Sequence, residues 1–263
     1  MSSLYCRTRA IILKTADFGE SDRIITLYSP DFGRAAAVAK GAKRSRKRFV
    51  NKLEEFSLLD ISYRPGKNGG LHFLSGAELE NAFLSLRTDW QRYGAAMLAG
   101  ELVIRFTGEH DPDPQIFSLL LRLLESVHQG TSPLPSVALF HLRLLGICGY
   151  RPELTQCAVC RCTPGTARQH FTLQPNNGTI LCSRCSRTSS SCFTLSLQSL
   201  RFLQTAQNMN MKPEKLKQLH MPVQVASECL HVLCRYSGYL LQRDIHSWHF
   251  LTGNRQMPAA YCN

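Results

Sequence analysis

The sequence predicts a multidomain α+β protein: an N-terminal small antiparallel β-barrel, then a helical domain into which a four-cysteine module is inserted. Three observations carry this. The first 80 residues hold five short apolar runs broken by Gly, Pro and Asp turns, the apolar period changes to that of a helix from residue 81, and Cys157, Cys160, Cys182 and Cys185 form two C-x2-C knuckles. At 263 residues the chain suits two or three domains of the commonest size, about 100–150 residues. The boundaries expected are 1–80 for the barrel, 81–152 and 193–248 for the two parts of the helical domain, 153–192 for the cysteine module and 249–263 for a loose tail.

The strand candidates are Arg9–Leu13, Arg23–Tyr28, Arg34–Ala39, Phe56–Tyr63 and Leu71–Ser75, separated by Asp17–Asp22, the Pro30-Asp31-Phe32-Gly33 turn and Pro65–Gly70. Closing so short a sheet hides edges that a flat one would expose, so an OB-fold barrel is the economical choice. Phe18, Tyr28, Phe32, Phe56, Tyr63 and Phe73 could stack bases on a barrel face, but most read as core, and alternation does not tell which face is wet. Phe49 alone is a candidate for stacking a base, because it ends a basic run.

That run, Lys40-Gly41-Ala42-Lys43-Arg44-Ser45-Arg46-Lys47-Arg48, places six cations in nine residues after a predicted strand. Charge clustered in this way repels itself, and a polyanion relieves the repulsion; Lys and Arg on a loop follow phosphates without reading bases. The bland alternative is a solvated loop. The rest of the chain favours the first reading: net charge is +12, with 14 basic against 9 acidic residues in 1–80, 5 against 6 in 81–150 and 12 against 4 in 151–263. Nucleic acid is expected ahead of a membrane surface, since no basic amphipathic helix is evident and no stretch approaches the roughly 18 apolar residues of a span. Residues Met1–Arg7 lack the apolar run of a secretory signal, so a cytoplasmic protein is expected.

After a possible cap at Asp89, Trp90, Tyr93, Met97, Leu98, Leu102 and Phe106 fall at helical spacing. Ile116–Val127, Val137–Cys148, Leu195–Ala206 and Val223–Gln242 are further helix candidates, while Thr188–Ser191 and the last dozen residues look loose. Glu109-His110-Asp111-Pro112-Asp113 superficially resembles a metal-ligand cluster, but its proline and the following Pro114 mark an acidic loop between helices. No Walker-type loop, H-E-x-x-H or H-x-E of a zinc deaminase is present, so no catalytic residue is assigned and a non-enzyme is expected.

Each knuckle presents two thiolates from one tight turn, and two such turns facing each other offer the tetrahedral sulfur cage that Zn2+ favours. A closed four-thiolate site leaves no open coordination position, which points to a structural metal. The knuckles are 21 residues apart, and Cys162, His170 and Cys192 lie near enough in sequence to replace a ligand; Cys185 is preferred because its spacing repeats the first knuckle. Eleven cysteines, an odd number with only four in paired spacing, fit a reducing compartment.

The chain resembles the RecO family of bacterial recombination and repair mediators. The resemblance lies in the opening Arg9–Leu13 strand followed by Gly19-Glu20-Ser21-Asp22-Arg23, in Val38-Ala39-Lys40-Gly41-Ala42, in Phe56–Ile61 with its Gly-containing hairpin, and in Leu144-Leu145-Gly146 leading through Gly149-Tyr150-Arg151-Pro152 to the first knuckle. It implies an OB domain, a helical domain and a zinc module on Cys157, Cys160, Cys182 and Cys185, with DNA contacts on Lys40, Lys43, Arg44, Arg46, Lys47 and Arg48. The longer loop between the knuckles and the extra Cys162 and Cys192 depart from the family pattern. The function implied is binding of single-stranded and double-stranded DNA, annealing of strands coated by the single-stranded DNA-binding protein and, with RecR, loading of RecA, in a cytoplasmic protein that joins the nucleoid during repair. The competing expectation is a zinc-ribbon protein that binds RNA or ribosomes.

Overall fold

Five strands close into a barrel: β1 (Cys6–Phe18), β2 (Asp22–Ser29), β3 (Gly33–Ala39), β4 (Leu58–Arg64) and β5 (His72–Asn81), in the order β1-β2-β3-β5-β4. This computed structural model describes residues 5–45, 47–66, 70–165, 170–186, 193–208 and 221–252. The OB expectation is met. The closing seam is the short parallel pairing of β3 with β5, where Ala37 faces His72 and Val38 faces Phe73. β1 is far longer than the apolar run that announced it, because it serves two partners: Cys6–Ile11 pairs with β4, and Ile11–Phe18 with β2, across an irregularity between Ile12 and Lys14 that lets the strand bend.

The barrel interior mixes Ile12, Ile25, Leu27, Leu59 and Ile61 with Ala10, Ala35, Ala37, Ala39 and Ala77. Taken locally, the alanines of Arg34–Ala39 favour helix. They form a strand because every second one turns inward, where little room is left beside the branched side chains.

The chain divides into two compact units, Met1–Asp89 with Gly100–Gln129, and Trp90–Ala99 with Gly130–Asn263. The division runs through α1 (Trp90–Phe106). α2 (Pro114–His128) groups with the barrel rather than with the later helices; Asp113 caps it by accepting from the Gln115 N–H at 2.7 Å, and Pro114 occupies its first turn.

The second unit holds α3 (Pro133–Ile147), α4 (Leu197–Asn208), α5 (Val223–Leu241) and α6 (Trp248–Thr252), together with a small sheet. Its strands are β6 (Glu153–Cys157), β7 (Phe171–Gln174), β8 (Thr179–Cys182) and β9 (Thr194–Leu195), in the order β6-β8-β7-β9. α3 and α5 pack through a fully buried polar pair, His141 Nε2 and Ser237 Oγ at 2.6 Å. α6 occupies residues expected to begin the loose tail; Thr188–Ser191 and residues 253–263 lie outside the described residues. Among the described residues, no helix is long and apolar enough to cross a membrane.

Candidate nucleic-acid interface and metal centre

β3 ends at Ala39, and Gly41 turns the chain with φ +69°, a conformation that L side chains resist, into a short 3-10 turn at Ala42–Arg44. Asp22 anchors this turn: its carboxylate accepts the Gly41 N–H at 2.8 Å, while the Lys43 N–H donates to the Ser21 carbonyl at 2.9 Å. The Gly41 N–H, and after it the Ser21 hydroxyl, holds the Asp22 carboxyl below the usual carboxylate range. Two of the segments that carry the resemblance, Gly19–Arg23 and Val38–Ala42, are therefore one hydrogen-bonded unit.

The six cations expected at the interface fall into distinct groups. Lys43 pairs with Asp17 at 3.0 Å and Arg44 with Glu20 at 3.4 Å. Lys40, Lys47 and Arg48 are exposed and make no ion pair among the described residues. Arg48 donates instead to the Lys40 carbonyl at 3.1 Å. Arg46 lies outside the described residues.

Phe49, expected as a stacking residue, is a correction. It is only 3% exposed and belongs to the barrel core, because the Phe49 N–H bonds to Ser45 Oγ at 3.0 Å and the turn so formed points the ring inward. Arg48 lies over the Phe49 ring, its guanidinium carbon 5.0 Å from the centroid, while the outward-facing aromatic residue beside Lys40 is Phe73. His72 and Leu74 point into the barrel, so Phe73 between them faces outward. Arg64 lies opposite Phe73 in the β4–β5 register, with its guanidinium carbon 4.8 Å from the ring centroid, and Lys40 Nζ lies 5.7 Å from the same centroid. Sequence reasoning missed Arg64 altogether and left Phe73 among aromatics of undecided face, most of them expected in the core. Alternation along His72-Phe73-Leu74 was the available signal.

In the second unit the two knuckles follow directly from strand ends. β6 ends at Cys157 and β8 at Cys182, and the next residues fold back on them: the Arg161 N–H donates to the Cys157 carbonyl at 2.9 Å, and the Cys185 N–H to the Cys182 carbonyl at 3.0 Å. The Sγ atoms of Cys157, Cys160, Cys182 and Cys185 all lie within 4.8 Å of one another, and none is in a disulfide. Cys160 Sγ and Cys182 Sγ are 3.7 Å apart, close to the edge of a tetrahedron built on Zn–S bonds of about 2.3 Å. The donor set therefore fits a soft divalent ion.

The electrostatics agree. Burial works to raise the Cys157 thiol, but the N–H groups of Cys160, Cys182 and Val159 outweigh it and bring it down to about 6. Cys185 is pushed up to about 12, first by its contacts with the Cys182 and Cys160 thiols. Four sulfurs this close share protons poorly, and a cation resolves the conflict by taking all four as thiolates. Of the alternative ligands, Cys162 neighbours Cys160 and Cys182 but stands outside the group of four, as does the exposed His170. Cys192 lies outside the described residues.

The acidic loop is structural in its contacts. Glu109 pairs with Arg34 at 3.2 Å, and the His110 N–H donates to the Arg34 carbonyl at 2.9 Å. At Gly33, which has φ +69°, a Cβ would come 2.2 Å from the Asp111 carbonyl oxygen, so the β2–β3 turn and this loop approach through glycine.

The sequence is similar to those of known proteins. The family models described as recombination protein O N terminal and recombination protein O C terminal match residues 1–83 and 87–249. The chain is 33% identical over 251 residues to the DNA repair protein RecO of a Roseiflexus species, covering 95% of this chain and 86% of that protein. It is 44% identical over 154 residues to the DNA repair protein RecO of Syntrophobacter fumaroxidans, covering 59% and 61% of the two chains. For the protein of that name from Geobacter metallireducens the match is 40% over 183 residues, covering 69% and 72%. Because the two models run in order over the barrel and over the region that carries the cysteine cluster, and the Roseiflexus protein aligns across nearly the whole length, the chain belongs to the RecO family of DNA repair proteins.

Proposed function

We propose that this chain is a non-catalytic recombination mediator that binds single- and double-stranded DNA, anneals complementary strands, and with RecR helps load RecA onto strands coated by the single-stranded DNA-binding protein. The observation that carries this reading is the set of exposed cations Lys40, Lys47 and Arg48 beside the barrel, which make no ion pair among the described residues, with Asp22 acting on Lys40 only at longer range. Phosphates would take the place of the missing acids, with Arg46 in the same run and Lys43 and Arg44 contributing from the rim. Membership of a DNA repair family supports the partner set. Annealing of this kind needs no ATP, since neutralised phosphates lower the barrier to pairing and base stacking drives the product. Zinc held by Cys157, Cys160, Cys182 and Cys185 would fix the two knuckles to each other and offer no open coordination position.

Replacing Arg46, Lys47 and Arg48 together by Ala tests the reading. Affinity for any DNA sequence falls about equally, and the plot of log K against log salt for single strands flattens by about 0.7 for each lost contact, roughly 2 for three. Annealing falls with binding. Unchanged affinity and slope in a folded variant would leave the run a solvated loop and move the DNA site elsewhere.

A further inference from the structure

We infer that Arg64 and Phe73 form a stacking platform for an unpaired base, so that this face of the barrel distinguishes single-stranded DNA from duplex. The inference rests on the DNA-binding reading above and adds to it the part of the ligand that is recognised.

The geometry has three parts. Phe73 is an aromatic side chain on the outer face of β5, beside the barrel's closing seam, flanked by exposed Arg64 from β4 and exposed Lys40 from the end of β3. The Arg64 guanidinium lies over the ring, its carbon 4.8 Å from the centroid. Neither Arg64 nor Lys40 makes an ion pair among the described residues, although the Asp22 carboxylate feels the Lys40 charge; Arg48 donates to the Lys40 carbonyl and lies over Phe49, so two cations share the Phe73 ring with Arg48 close by.

In the free protein the ring attracts Arg64 and Lys40, but the two like charges repel each other and the ring stays partly exposed. A single strand relieves both defects at once. Its phosphates neutralise Lys40 and Arg48, and a base lies flat against the Arg64–Phe73 stack, since guanidinium and phenyl planes both accept a π-face of any base. A duplex satisfies only the first requirement, because its bases are already stacked inside the helix. The platform thus adds affinity for single strands without sequence preference. It also gives annealing a direction: a base that pairs leaves the platform to stack in the duplex, and the grip loosens on product.

The test uses the full chain and two conservative variants. Phe73→Leu keeps every cation and most of the apolar volume, and Arg64→Lys keeps the charge but removes the plane. Each should lower affinity for an oligo(dT) single strand by on the order of fivefold or more, the low end of stacking energies measured per base. Duplex affinity and the salt slope should stay at the wild-type value. A single strand carrying 2-aminopurine should be quenched on binding wild-type protein and less so on binding either variant. Wild-type single-strand affinity and quenching in both variants would overturn the platform, and so would equal losses for single strand and duplex. Should Phe73→Leu not fold, exposed Arg64→Lys decides the matter alone. Loss of all binding in the Arg46, Lys47, Arg48 triple variant with no effect of the platform variants removes this inference and leaves the DNA-binding reading standing; a wild-type protein that binds no DNA removes both.

Discussion

At the scale of single residues, His141 shows how burial sets chemistry. It is fully buried on α3, its Nε2 faces Ser237 Oγ, and burial pushes its pKa down from 6.5 to about 3. The unfolded chain protonates this residue below about pH 6.5 while the folded chain does not until about pH 3, so its contribution to stability is complete above that window and is lost as pH falls through it, by up to about 1.4 kcal/mol per pH unit. Replacing the pair by His141→Leu with Ser237→Ala should flatten that part of the stability curve, read as melting temperature between pH 7 and pH 4. Asp22 makes a prediction of opposite sense to simple charge counting. Asp22→Ala raises the net positive charge, yet it should weaken DNA binding, because the carboxylate that holds the Gly41 N–H and orders the start of the basic turn is gone. Tighter binding by that variant would show that the turn needs no anchor. Asp113, by contrast, acts as a helix cap, a role that Asn fills equally well, so Asp111→Asn with Asp113→Asn should leave DNA binding and annealing near wild type, whereas Asp113→Ala should cost about 1 kcal/mol of stability in denaturant unfolding.

At the scale of elements, the knuckles are the sharpest case. Each is a strand end followed by a turn whose N–H groups point back at the first cysteine, so local backbone geometry brings the two sulfurs of each knuckle together. Metal analysis of protein purified without added zinc should give about one Zn2+ per chain, as a closed four-thiolate site requires. Cys157→Ser should lose the metal and lower stability, while Cys162→Ser should keep both; metal loss from Cys162→Ser would reassign the ligand set. β3 makes the complementary point about packing. Ala37 is fully buried inside the barrel, and Ala37→Leu should destabilise the protein by about 1–3 kcal/mol through overpacking, a shift visible in thermal unfolding.

For the whole molecule, each compact unit carries one of the two candidate sites: the basic edge of the barrel in the first and the cysteine cluster in the second. Much of this was legible in the sequence, because the signals are local. A period of 2 or 3.6 needs only neighbouring residues, a C-x2-C turn positions its own two sulfurs, and six cations in nine residues repel one another wherever the run lies in the fold. What the sequence could not decide depended on residues brought together from a distance. Phe49 was misread because the Ser45 turn, not the adjoining charge, sets where its ring points. The strands around the knuckles are two to five residues long, too short to show a period. Lys43 and Arg44 look identical to their neighbours in the run, and only the fold places Asp17 and Glu20 against them. Arg64 and Lys40 are 24 residues apart in the chain and meet at Phe73 only because a parallel pairing of β3 with β5 closes the barrel. The chain by itself determined the longer elements and which residues are charged or could bind a metal; closure of the sheet decided which of them face one another, because strand pairing is the step that turns sequence distance into contact.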